Sequence, residues 1–298
     1  MQLTRQARGL SDYQIKMLFI IPTLALLIAM NIFPLLYSLC LSFTKYIYGS
    51  VPPRFIGTEN YSRILSDPDI RSYFYITAKF VVLAVSAQFL IGFGLALLLN
   101  REFKYKGIIT TLILLPMMLS PVVVGLFWKF IFDPDTGLFN YFLKILFHIE
   151  KIGWTTNPDI ALYSVIIVDT WMWSPFMMLI SLAGLSAIPK HLYEAADVDR
   201  ASGWFKFRHI TFPIVAPLLL IALLFRTMDA FKLFDIVYVL TAGGPASKTE
   251  TLSLNLYRVA FRYWKIGHAA AMAYILLIII IALSSIYIKY LNKVRGET

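Results

Sequence analysis

MLFIIPTLALLIAMNIFPLLYSLCLSF, residues Met17–Phe43, runs for 27 residues without one charged side chain. As an α-helix it would rise about 40 Å, more than the roughly 30 Å of hydrocarbon in a bilayer. Four further uncharged runs follow, at Phe80–Asn100, Gly107–Trp128, Thr170–Pro189 and Ala269–Ile288. The fourth span is expected to begin near Ile160 and so to carry Asp169. A fifth, Pro213–Thr241, is apolar except for Arg226, Asp229, Lys232 and Asp235. The fold class expected is therefore an all-α integral membrane protein with about six spans, near 17–43, 76–100, 107–131, 160–187, 213–241 and 267–290. No soluble insert of domain size interrupts them, so 1–298 reads as a single membrane domain.

Composition agrees. Of 298 residues 59% are hydrophobic and 15% charged, against about 25% charged in soluble proteins. The formal charge of +10 does not form one basic stripe and no nucleic-acid reader motif accompanies it, which argues against nucleic acid as a partner. With the N-terminus inside, the inner segments 1–16, 101–106, 190–212 and 289–298 carry 13 Lys/Arg. The longer outer segments 45–72, 129–159 and 242–266 carry 11. The higher density inside predicts cytoplasmic termini. The first apolar run is too long for a signal-peptide core and is read as a retained span. Cys40, the only cysteine, lies within it, which excludes an intrachain disulfide and a multi-cysteine metal site.

Pro22, Pro34, Pro116, Pro121 and Pro175 fall inside the apolar runs. Each removes a backbone donor, so kinks or local unwinding are expected. In lipid the freed carbonyls need partners from other helices or water, which favours a bundle or a cavity lining over a simple anchor. In the first outer connector, FIGTENYSRILSD fits either a short interfacial helix or a surface-packed loop.

The longest inner connector, Leu185–Pro217, reads LSAIPKHLYEAADVDRASGWFKFRHITFPIVAP. A short amphipathic helix should start after Pro189 and stop near Gly203. Periodicity alone fits a surface helix held by local pairs such as Lys190 with Glu194 as well as a helix docked in a partner's groove. The segment resembles the cytoplasmic signature of ATP-binding cassette importer permeases: E-A-A, three residues, G, nine residues, I, one residue, L-P. Glu194, Ala195, Ala196, Ile210 and Pro213 stand at matching places, while Arg200 takes the place of the glycine and Phe212 that of the leucine. The helix is expected to continue through Arg200 and turn at Gly203.

Further blocks resemble the sugar-type permeases, including those for maltose and glycerol phosphate: FIGTENYSRIL at 55–65, LALLLNR at 95–101, LLPMMLSPVVVGLFWKFIFDPDTGLFN at 114–140, AGLSAIPKHLYEAA at 183–196 and FRTMDAFKLFDIVYVLTAGGP at 225–245. The resemblance implies the type I importer permease fold in a bacterial inner membrane. It implies a second homologous permease, two cytoplasmic ATP-binding subunits and an extracytoplasmic solute-binding protein as partners. Glu194, Ala195, Ala196, Asp199 and Gly203 would couple the ATPase to the membrane. Asp133, Gly137, Asn140, Arg226, Asp229, Ala230, Leu233 and Asp235 are the candidates for the pathway of a sugar-like solute.

The residues themselves leave two readings of the fifth-span charges open. They pair internally, since spacing by threes brings opposite signs within reach, or a subset hydrogen-bonds a polyhydroxylated or anionic solute. Trp171 and Trp173 near Asp169 fit ring stacking or packing. No cofactor is expected on this chain. It lacks a G-x-x-x-x-G-K-[ST] phosphate loop, AGGPASKT at 242–249 being a near miss read as an outer loop, so ATP and Mg belong to partner subunits. His148, His191, His209 and His268 are scattered, which argues against metal or catalytic chemistry. An ion-coupled secondary transporter and a non-transporting assembly scaffold are the alternatives.

Overall fold

A computed structural model describes residues 11–149 and 151–296. The basic segment before Ser11 and the last two residues, on which the expected position of the termini rests, lie outside the described residues. By compactness the chain falls into two units, residues 11–63 with Val259–Tyr274, and Ile64–Arg258 with residues 275–296. Among the described residues five helices are long and apolar enough to cross a membrane, and a bent helix pair would make a sixth span if it crosses as one.

In the first unit, α1 (Asp12–Leu27) passes through a π-turn, Ile28–Ile32, into α2 (Phe33–Ser42). The turn lies just before Pro34, whose missing N–H disturbs the i→i−4 ladder. Thr23 and Asn31 each give a side-chain proton to a carbonyl one turn back, Phe19 O and Leu27 O, which lowers the cost of carrying these polar groups in an apolar run. Beyond the span a hairpin, β1 (Thr44–Ile47) and β2 (Val51–Phe55), pairs Thr44 with Phe55 and Ile47 with Val51 around a bulge. The connector left open between helix and loop forms α3 (Glu59–Ser66). Asn60 pins it by donating to Ser42 O at 2.9 Å and Thr44 O at 2.8 Å.

The second unit opens on α4 (Pro68–Leu99). Asp67 caps it, its carboxylate accepting from Asp69 N at 2.9 Å, and Pro68 supplies the fixed φ of the first turn. The third span was expected near 107–131, with a kink or local unwinding at Pro116 or Pro121. There α5 (Lys106–Met118) and α6 (Pro121–Ile131) meet at 98°, with the break just before Pro121. Ser120, preceding Pro121, is driven out of the helical region, and it and Leu119 are extended. After α6 come a short α7 (Leu138–Phe147) and the long α8 (Ala161–Ser186), in which Pro175 is absorbed without a break.

Next, α9 (Lys190–Val198) is followed by α10 (Gly203–Lys206), a π-turn at Phe207–Thr211 and α11 (Phe212–Ala230). The span expected at 213–241 therefore runs from Gly203 to Ala230 and ends there. Lys232 and Leu233 donate to carbonyls three residues back, at Asp229 and Ala230. A separate α12 (Asp235–Leu240) then begins. After α13 (Leu252–Tyr257) a further π-turn, Arg258–Arg262, leads to α14 (Ile266–Arg295).

The core is the α4–α8 contact, with α6, α11 and α12 around it. Gly92 permits the close approach: a Cβ there would stand 2.5 Å from Met177 Cβ and 2.6 Å from Ser174 O. Gly92→Ala should therefore lower stability by about 1–3 kcal/mol, the ordinary cost of overpacking. Thermal unfolding of the reconstituted variant in lipid nanodiscs measures it.

Candidate functional site

Three groups of residues were singled out, and the fold treats them differently. In the segment that carries the E-A-A spacing, α9 stops at Val198, one turn earlier than expected. Arg200 N donates to Asp197 O at 3.0 Å and Ala201 N to Ala196 O at 2.9 Å, the paired bonds of a Schellman cap. Arg200 itself sits in the left-handed region at φ 54°. The helix thus does not continue through the signature-glycine position. It turns there, and arginine adopts the conformation that glycine takes without a Cβ penalty. Gly203 opens α10 instead, with the Ser202 hydroxyl accepting from Phe205 N at 3.2 Å. Arg200→Gly should stabilise the protein by about 1 kcal/mol, read as a higher unfolding temperature.

The side chains of α9 divide by exposure. Glu194, Ala195 and Asp199 are exposed, whereas Ala196 is buried. A groove of about 480 Å³ runs along Leu192, Ala195, Ala196, Asp199, Phe205 and Ile210. Tyr193 OH lies 2.8 Å from Thr211 Oγ1, and Lys206 is ion-paired with Asp197. These two ties hold α9 against the start of the fifth span.

Within the membrane, Arg226 is almost wholly buried, and its partners come from three helices. Its Nη2 is paired with the buried Asp169 carboxylate of α8. Its Nε donates to Gln88 Oε1 of α4 at 2.7 Å, and its Nη1 to Asp229 Oδ2 at 2.9 Å. Gln88 closes the network by donating to Asp169 Oδ2 at 2.7 Å. Trp173 lies under the guanidinium, 5.1 Å from ring centroid to Cζ, a cation–π contact rather than a free stacking platform. Of the two readings of the fifth-span charges, Arg226 follows the pairing one. Asp229, Lys232 and Asp235 are exposed at the unwound end of the helix, with Lys232 Nζ 3.9 Å from Asp229. Ala230 is buried, and Leu233 partly so. Sequence reasoning passed over Gln88, although a lone amide in an otherwise apolar run signals a buried polar partner.

The candidates between Asp133 and Asn140 are organised as a loop. Asp133 Oδ1 accepts from Asp135 N, Thr136 N and the Thr136 hydroxyl at 2.8–2.9 Å. These bonds, led by the Thr136 amide, hold its pKa below the usual carboxylate range. Gly137 has no room for a Cβ, which would collide with the Asp133 and Ile131 backbone. Asn140 uses all four of its amide valences. It donates to Pro134 O and Ile152 O, and accepts from Ile152 N and Trp154 Nε1. These three residues build the loop, and a solute contact through the Asn140 amide would have to displace one of those bonds. The AGGPASKT segment is likewise a loop, built around the buried Glu250, which accepts from Arg258 Nη1 at 2.5 Å. Burial pushes the Glu250 carboxyl up, against the pull of Arg258.

The family described as binding-protein-dependent transport system inner membrane component matches residues 88–294, which takes in the Glu194–Pro213 segment and the Gln88–Asp169–Arg226 network. The chain belongs to that family. It is a multi-pass membrane permease, a translocation-pathway subunit of an ATP-binding cassette importer. It is 34% identical over 275 residues to the trehalose/maltose transport system permease protein MalF of Thermococcus litoralis, covering 91% of this chain and 92% of the relative. The sulfoquinovosyl glycerol transport system permease protein SmoG of Agrobacterium fabrum is 32% identical over 98% of this chain and 95% of its own length. A crystal structure of a bacterial ATP-binding cassette transporter involved in alginate import has the same fold. Its TM-score is 0.82 at 20% identity, over 95% of this chain and 96% of that one.

Proposed function

We propose that this permease forms half of the translocation pathway for a sugar-like solute, opposite a second homologous permease. Two cytoplasmic ATP-binding subunits bind ATP and Mg and dock on α9, and an extracytoplasmic binding protein delivers the solute. Both termini face the cytoplasm. The observation that carries the reading is the exposed face of α9 with the groove beside it, in the segment whose spacing from Glu194 to Pro213 matches the coupling signature. The solute class is supported by relatives named for trehalose/maltose and sulfoquinovosyl glycerol transport. The exposed Asp229, Lys232 and Asp235, at a helix break inside the membrane, supply hydrogen-bonding groups where a hydroxylated solute would cross.

Closure of the ATP-binding subunits on nucleotide would draw α9 inward. Through Tyr193–Thr211 and Lys206–Asp197 that movement reaches α11, and α4 and α8 follow as one body because Arg226 ties them. This is rigid-body alternating access. The test is uptake in proteoliposomes. Transport should require ATP, the ATP-binding subunits and the binding protein together. Uptake by this chain alone in ATP-free vesicles would overturn the proposal in favour of an ion-coupled carrier.

A further inference from the structure

The short helix α7 has three sides. At roughly 100° per residue, Leu138, Tyr141, Phe142, Ile145 and Leu146 share one arc of about 140°, and each is at least half exposed. Phe139 and Leu143 lie on the next side. Phe139 packs edge-on against Phe132 and Trp154, with ring centroids 5.5 Å and 5.4 Å apart, and so fixes the helix to the core. The third side holds Asn140 and Lys144, with the exposed Phe147 between it and the Leu143 side and His148 in a left-handed cap just past the helix. One flank is thus tied to the protein, one carries the polar groups, and one presents five large apolar side chains to whatever surrounds it.

We propose that α7 lies in the outer membrane–water interface as an amphipathic helix, its Leu138–Phe142–Ile145–Leu146 face sunk into the acyl-chain boundary and its Lys144 side at headgroup level. Three observations select the bilayer as the occupant. With ten residues the helix is too short to span. It starts seven residues after α6 ends at Ile131, and therefore beside the membrane surface. The helix it packs on continues the same kind of surface, since α6 exposes Val122, Val123, Leu126, Phe127 and Phe130. Tyr141 at the edge of the apolar arc and Lys144 beyond it are residue types that settle at that depth. Anchoring α7 also fixes the loop before it, in which Asp133 and Gly137 sit and which Asn140 of α7 braces through Pro134 O, so the bilayer itself becomes one wall holding the outer end of the pathway.

The test places nitroxide labels at single cysteines in a Cys40→Ser background. The positions are Phe142, Ile145 and Leu146 on the apolar side, and Lys144 and His148 on the polar side. The full-length chain is reconstituted with its co-purifying subunits in nanodiscs of phosphatidylcholine and phosphatidylglycerol. The ratio of collision rates with oxygen and with a water-soluble nickel chelate reports depth. The expected ratio is at least threefold higher at Phe142, Ile145 and Leu146 than at Lys144 and His148. Equal ratios would show a helix standing in water. Low collision rates with both reagents on the apolar side would show a protein partner there. Either result overturns the proposal, and neither depends on whether the complex transports a sugar.

Discussion

Asp169→Ala lowers the stability of the permease by about 3–5 kcal/mol, the loss expected when one member of a buried ion pair is removed. Arg226 and Asp169 are both essentially inaccessible, so water cannot take over the missing partner. Gln88 offers only an amide oxygen, at 2.7 Å, and Asp229, the remaining anion at 2.9 Å, is half exposed. Thermal unfolding in nanodiscs reads the loss, and a shift equivalent to less than about 1 kcal/mol would contradict it. The combined variant Asp169→Leu, Arg226→Met and Gln88→Leu should recover most of the stability, because it removes both charges together with the buried amide that would otherwise lose its partners. The same variant decides what Arg226 does for transport. As a clamp joining α4, α8 and α11, it can be exchanged for apolar side chains with the solute KM unchanged. If Arg226 bound solute, KM would rise even though stability had returned.

How far such a network is legible in sequence is shown by its members. Arg226 and Asp229 could be paired from their spacing on one helix, because i and i+3 side chains are neighbours whatever else the fold does. The contact with Asp169 joins residues 57 positions apart, and that with Gln88 residues 138 apart. No local periodicity encodes such distances. The same limit governs the spans. Apolar runs fix that helices cross the membrane, since the backbone must satisfy itself in lipid. Where a run turns is set by a few residues. Pro121 ends α5 by constraining Ser120, and the bend of 98° follows from a proline readable in advance, though its angle was not. At the end of α11 no proline or glycine marks the break at Phe231–Phe234, and a span apolar apart from its four charges invited a longer helix.

Arg200 is a third case: the spacing marked the position, but the chemistry of arginine suggested a continuing helix. The cap bonds of Ala201 and Arg200 to carbonyls on α9 outweigh the cost of a left-handed arginine.

Ala195→Trp should reduce solute-stimulated ATP hydrolysis of the assembled importer by about tenfold or more, while membrane insertion and unfolding temperature stay near those of the parent. Glu194, Ala195 and Ala196 stand together in the signature, but only the first two are exposed. Ala196 is buried, and a bulky residue there would cost about 1–3 kcal/mol by overpacking, confusing lost docking with lost folding. Ala195 lines the groove beside Leu192 and Phe205, so an indole placed on it occupies space that a docked partner would need while leaving the helix core intact. A tenfold loss corresponds to about 1.4 kcal/mol of docking free energy, small for the loss of a packed contact at an interface centre. Glu194→Lys, at an exposed site, should act more weakly and with a dependence on salt, as rim charges do. Unchanged solute-stimulated hydrolysis in Ala195→Trp would remove α9 as the docking element, because the steric block does not depend on which residues the partner presents.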